Sequence, residues 1–242
     1  MVGARLGTGL PTVRAAVAML TRVPVRSSVG RSGAAAFALV GGTLGAVAAV
    51  PALALADRAP LLAATAAISV LAVGSGGLHL DGLADTIDAL AAAPDDTERA
   101  RHDPAVGALG AAGTSLVLLA ECAALVALSW ASLAPALVVC GAASRSVPVL
   151  AAPFVSHADS GLGSWWGRSV RRVDGLICGG CLLGLAVLVG SIHLVAIASS
   201  LVIGLAAVAA LGRRFGVVSG DSYGAGAELA FLAGLIAEVL VR

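Results

Sequence analysis

The sequence is dominated by apolar stretches, each about as long as a membrane crossing. A helix needs roughly 20 mostly apolar residues to traverse the hydrocarbon of a bilayer. Stretches of that kind lie at 33–56, 60–80, 108–130, 133–155, 174–191, 193–211 and 224–241. The second can end as early as Gly74, and only Ser191 to His193 separates the fifth from the sixth, which leaves a re-entrant pair open. These segments predict an all-α fold: a polytopic transmembrane helical bundle of about seven spans, with six to eight allowed. Composition agrees. Apolar residues make up 59% of the chain and charged residues 12%, against about 45–50% and about 25% in soluble domains. A soluble fold must cover its own exterior with polar groups, and this chain lacks them. No linker separates two soluble cores, so 1–242 is read as a single integral membrane domain.

Arginine placement gives the expected orientation. With the N-terminus cytoplasmic, the inside segments are 1–32, 81–107, 156–173 and 212–223, and they hold twelve of the fifteen arginines. Arg58 and Arg242 fall outside, and Arg145 falls within a span. That distribution satisfies the positive-inside rule. Residues 1–32, with Arg5, Arg14, Arg22, Arg26 and Arg31 around a short apolar run, read as an interfacial cytoplasmic segment and not as a secretory signal. A net charge of +1 implies no polyanion-binding surface, so nucleic acid is not an expected partner. Cys178 and Cys181 have CxxC spacing but sit in an apolar run with no second pair, so they read as packing residues.

Seven of the fourteen acidic residues lie between Asp81 and Asp103. Asp81, Asp85 and Asp88 are spaced i, i+4 and i+7, which on a helix places them on one face. Three carboxylates on one stripe repel unless a cation lies between them. Mg²⁺ prefers oxygen ligands and usually shares them with water or substrate phosphates. The stripe therefore reads as half a metal site; the alternative is a solvated acidic helix start. His79, two residues earlier, is a candidate general base or phosphate contact. Farther along, Asp103 can complete the metal site or accept a proton, and Arg101 can meet a phosphate through paired bonds. Gly107 and Gly110 open the next span, whose amides can bind an anion. Glu121, Arg145 and Glu228 are ionisable groups at membrane depth, which generally face a bundle interior. Arg145 is either functional or paired with Glu121 or Glu228. Asp221, in a glycine-rich turn, is either a site residue or the N-cap of the last helix. Trp165 and Trp166 read as interface anchors. Gly41, Gly42 and Gly45, like Gly180 and Gly184, are small-residue patterns that let helices approach closely.

Taken in order, several motifs resemble one family. They are Leu20-Thr21-Arg22-Val23-Pro24-Val25, Gly76 to Asp88, Asp103 to Gly110, Ala143-Ser144-Arg145, Gly161-Leu162-Gly163 and Gly220-Asp221-Ser222-Tyr223-Gly224-Ala225. The sequence is similar to the cobalamin synthases, the adenosylcobinamide-GDP ribazoletransferases. It departs from them at Arg101-His102-Asp103-Pro104, where the family commonly has a lysine at the second position. The resemblance implies a Mg²⁺-dependent transferase in the cytoplasmic (inner) membrane of a prokaryote, with its active site facing the cytoplasm. It implies adenosylcobinamide-GDP and α-ribazole or its 5′-phosphate as substrates, GMP as leaving group, and the bilayer as surroundings; a homo-oligomer is left open. On this reading Asp81, Asp85 and Asp88 hold metal, and His79, Asp103 and Arg145 are catalytic. Arg101, Asp221, Gly82 and Gly107 bind substrate. The rival readings are a CDP-alcohol phosphotransferase, which would place an arginine after Asp-Gly where this chain has none, and a secondary transporter.

Overall fold

The computed structural model describes residues 9–26, 32–93 and 105–241. Among these are ten α-helices and no strand: α1 (Gly9–Leu20), α2 (Phe37–Leu55), α3 (Pro60–Ser75), α4 (Leu78–Ala91), α5 (Ala108–Ala127), α6 (Trp130–Ala151), α7 (Leu162–Ser169), α8 (Arg172–Val189), α9 (Leu194–Phe215) and α10 (Gly220–Leu240). Six segments are long and apolar enough to cross a membrane alone: Ala34–Leu55, Ala108–Ala127, Trp130–Phe154, Arg172–Val189, Ser191–Phe215 and Gly220–Leu240. α3 and α4 qualify only together and meet at 90°. Counted through that bent pair, the spans reach seven. Hydrocarbon offers backbone groups no hydrogen bonds, so each crossing closes its own ladder as a helix.

α6 is the central post. It is buried along most of its length, and α2, α8, α9 and α10 pack around it. Its tightest neighbour is α2. A side chain on Gly41 would collide with the Gly141 carbonyl, and one on Gly45 with the Leu137 carbonyl, so the two backbones touch there. Such close approach is what small residues provide where lipid removes the hydrophobic incentive for helices to associate. Gly180 and Gly184 on α8 behave differently: nothing lies within 4 Å of the space their side chains would fill, and that stripe faces outward. Large exposed side chains such as Val50, Leu116, Leu119, Leu183, Val187, Leu188 and Val202 cover the outer faces, as a lipid-facing surface requires.

The α3–α4 corner is made by Gly76 and Gly77, with φ of 68° and 72°. Both lie in the left-handed region, where a Cβ is penalised. The corner turns α4 across the bundle end against α10 and α5. At the same end a two-way backbone pairing ties the connection after α6 to the one before α10: the Val218 amide donates to the Ser156 carbonyl (2.8 Å) and the Ala158 amide to the Val218 carbonyl (3.1 Å). Trp166 of α7 is buried beneath these connections. It stacks on Phe37 with ring centroids 5.0 Å apart, meets Tyr223 edge-on at 5.7 Å, and donates its indole N–H to the Ser32 carbonyl (3.0 Å). It is therefore a packing residue and not an interface anchor, whereas Trp165 beside it is exposed.

Candidate active site

α4 is helical through Asp81, Asp85 and Asp88, so the three share a face. It crosses α10 where both chains are reduced to glycine. A Cβ at Gly82 would lie 2.9 Å from the Asp221 Cα, and one at Gly224 would lie 3.2 Å from the His79 carbonyl oxygen. This crossing brings Asp221 to the acidic stripe: Asp85 lies within electrostatic range of Asp81, Asp88 and Asp221 alike. Asp221 is not the cap of α10. Ser219 takes that place, its hydroxyl accepting from the Ser222 amide (3.3 Å) and donating to the Asp221 carboxylate (3.1 Å).

Two cavities open beside Asp81, and the Asp81, Leu78 and Met19 side chains belong to the walls of both. One, of about 780 Å³, is lined by Thr21, Arg22, Ser75, Gly76, Thr114 and Ser115 among others. The second, of about 590 Å³, is lined by His79, Gly82, Ser160 to Ser164, Trp166, Ser219, Asp221 and Tyr223 among others. His79 is 5% exposed, and its Nδ1 has no hydrogen-bond partner among the described residues. A buried polar atom without a partner is costly unless something else meets it. Near the second cavity, the Tyr223 hydroxyl and the His157 Nδ1 are 3.2 Å apart.

Asp88 is placed otherwise. The Gly107 amide donates to its Oδ2 and the Gly110 amide to its Oδ1, each at 2.7 Å. The first turn of α5 does bind an anion, and that anion is a side chain of the same protein. Gly107 and Gly110 must lack side chains for this approach, since a Cβ at either would run into the Asp88 carboxylate.

Arg145 does not line either large cavity. It is 3% exposed, inside the bundle. Its Nη1 donates to Ser144 Oγ (2.9 Å), its Nη2 lies 3.9 Å from Glu228 Oε1, and its guanidinium sits over the Phe231 ring at 5.8 Å. Glu121 is buried at the same level, and all three line one small void of about 10 Å³. Of the two candidate counter-ions, Glu228 is therefore the partner within ion-pair distance. At the opposite end of the bundle the sequence reading passed over a second buried pair, His193 and Glu238, 2.6 Å apart. Arg101 and Asp103 lie outside the described residues.

The geometry is that of a membrane-embedded bundle with acidic groups gathered at a two-chambered site. A family model described as cobalamin-5-phosphate synthase matches residues 12–239. The chain belongs to the cobalamin-5-phosphate synthase family. Its relatives include proteins named adenosylcobinamide-GDP ribazoletransferase. That of Prochlorococcus marinus (strain MIT 9313) is 37% identical over 186 residues, covering 68% of this chain and 70% of the relative. That of Citrobacter koseri is 34% identical over 245 residues, covering 92% and 97%, and that of Pseudomonas aeruginosa 32% over 244, covering 96% and 98%. No solved structure matches the chain.

The donor set can be tested against the metal that such a transferase would use. Among the described residues no three His, Cys, Asp or Glu side chains converge as a ready-made metal cage. Mg²⁺ does not need one: it is typically held by one or two carboxylates, with waters and substrate phosphates completing the shell. Asp81 and Asp85, one turn apart, with Asp221 across from them, suit that mode.

Proposed function

We propose that this protein is an adenosylcobinamide-GDP ribazoletransferase. It joins α-ribazole or its 5′-phosphate to adenosylcobinamide-GDP, releases GMP, and forms adenosylcobalamin or its 5′-phosphate. Family membership supplies the reaction class. The observation that carries the site is Asp81, a carboxylate built into the walls of two adjacent cavities, so that two reactants can meet beside it.

In the reaction a ribazole hydroxyl attacks the phosphorus that carries the cobinamide. The P–O bond to GMP breaks, and the hydroxyl proton passes to a base. Phosphoryl transfer is mainly positioning and charge stabilisation. Asp81 and Asp85, with Asp221, would hold Mg²⁺, which when bound neutralises diphosphate charge. His79 carries the unpartnered Nδ1 in the wall of the second cavity and is the base candidate among the described residues. Asp103 and Arg101 keep their proposed roles as alternative base and phosphate contact. Asp88 serves the site by fixing the start of α5. The α4–α10 crossing at Gly82 and Gly224 sets how far Asp221 stands from α4.

The proposed setting is the cytoplasmic membrane, with the site facing the cytoplasm. Supporting this, Arg14, Arg22, Arg26, Arg168, Arg171, Arg172, Arg213 and Arg214 all belong to segments at the site end of the bundle, and Arg58 lies at the other. The deciding experiment uses purified protein in lipid with adenosylcobinamide-GDP and α-ribazole, followed by GMP release with Mg²⁺ and with a chelator. GMP should form with Mg²⁺ only, and Asp81→Asn should abolish it while the protein stays folded. No GMP from the wild type, or near-normal turnover by Asp81→Asn, refutes the assignment.

A further inference from the structure

By sequence Arg22 is one of the arginines that set orientation and part of the Leu20 to Val25 motif, with no chemical role of its own. The structure gives it a more particular place. It follows the end of α1, where the Thr21 hydroxyl donates to the Val17 carbonyl (2.7 Å) and accepts from the Val23 amide (3.2 Å). The Arg22 amide donates to the Gly74 carbonyl near the end of α3 (2.9 Å). Its side chain lies on the α3–α4 corner, so that a Cβ at Gly76 would collide with the Arg22 Nε. Arg22 is exposed and lines the 780 Å³ cavity together with Asp81, Thr114 and Ser115.

A topological signal needs only positive charge somewhere in the segment. It does not need a guanidinium laid on a left-handed glycine at the mouth of the acidic helix. Among the described residues lining either cavity, Arg22 is the only arginine. The non-bridging oxygens of a diphosphate accept paired N–H bonds from the planar fork of a guanidinium, whereas an ammonium meets them only as a point charge. We infer that Arg22 binds the diphosphate of the donor substrate and that the 780 Å³ cavity is the donor's side of the site. The acceptor then reaches Asp81 from the second cavity. This deepens the transferase reading and rests on it.

The test uses the purified full chain in lipid nanodiscs with Mg²⁺ present. Equilibrium binding of GDP is measured, with inorganic pyrophosphate as competitor, together with turnover at varied donor and acceptor. Charge-assisted bonds to a phosphate lead to an expected rise of about 10- to 100-fold in the GDP Kd and the donor KM for Arg22→Ala. Arg22→Lys should fall between it and the wild type, and the acceptor KM should stay within about twofold. GDP bound equally well by Arg22→Ala and wild type, no GDP binding by the wild type, or a rise confined to the acceptor KM overturns the inference. Should Arg22→Ala fail to fold, Arg22→Lys decides, because it keeps the stem and the charge but not the fork; an unchanged donor KM there is refuting. Wild-type protein that binds GDP through Arg22 but releases no GMP would sink the transferase reading and leave the diphosphate site standing.

Discussion

Asp88 offers the sharpest test of how the acidic helix is used. Both its oxygens accept backbone amides of α5 at 2.7 Å. A hydrogen bond to a charged group contributes about 1.5–3 kcal/mol. Asp88 is half-buried, so water replaces part of each bond, and the lower end applies to both. Asp88→Ala should then cost about 3 kcal/mol. Asp88→Asn keeps one acceptor oxygen and loses the charge, and should cost about half that, roughly 1.5 kcal/mol. For a chain of this length each kcal/mol shifts Tm by about 2–4 °C. The expected losses are about 6–12 °C for Asp88→Ala and about 3–6 °C for Asp88→Asn. The assay is thermal unfolding in lipid at a fixed scan rate, read by tryptophan fluorescence, beside a Mg²⁺ titration of turnover. Asp81→Asn should show no turnover at any Mg²⁺ concentration, and Asp88→Asn should keep the wild-type Mg²⁺ dependence. If Asp88→Ala melts with the wild type and Asp88→Asn needs far more Mg²⁺, the residue is a metal ligand and the reasoning is wrong.

Removing Arg145 as Arg145→Met strands Glu228 inside the bundle, with an expected cost of about 3–5 kcal/mol, much of which Glu228→Gln added to it should restore; equal melting of the single and double variants would contradict the pairing. Gly45→Leu should prevent assembly of folded protein, because the α2 and α6 backbones have no room between them, while Gly184→Leu should be tolerated; detergent size-exclusion profiles compare the two. Burial, opposed by a backbone hydrogen bond at Ala152 and aided by the Arg168 charge, lowers the pKa of His157 from its ordinary value of about 6.5, so the folded form is the poorer proton binder. Its contribution to stability should be complete above about pH 6.5 and decline as pH falls toward the folded pKa, and His157→Gln should flatten the melting temperature over that window.

The spans were legible because hydrocarbon thickness fixes a length and apolar runs report it directly. The stripe of Asp81, Asp85 and Asp88 was legible because helical periodicity is local. What each carboxylate touches was not. The amides that hold Asp88 lie 19 and 22 residues downstream, and nothing in the spacing separates it from its two neighbours. The only sequence sign was a pair of glycines at 107 and 110, which reads equally as an anion site for a ligand. Arg145 needed a counter-ion, but whether Glu121 or Glu228 supplied it depends on how α6 and α10 are rotated. Trp166 looks like any tryptophan near a membrane surface until Phe37 and Tyr223 are placed against it. Asp221 looks like a cap until Ser219 takes that duty. Arg22 stands in a motif by sequence, but its place on the Gly76 corner depends on how α1 meets the end of α3.

The right-angle corner at Gly76 and Gly77 also bears on where such an enzyme can live. Had α3 run on straight, its 14-residue continuation would have carried the acidic groups up to about 20 Å farther along the membrane normal. Bilayers of different thickness would then hold them at different heights. Folded sideways, that helix converts length into lateral reach, and the carboxylates stay level with the neighbouring helix ends whatever acyl chains surround the protein. A cell that remodels its lipids with temperature would leave this chemistry in register.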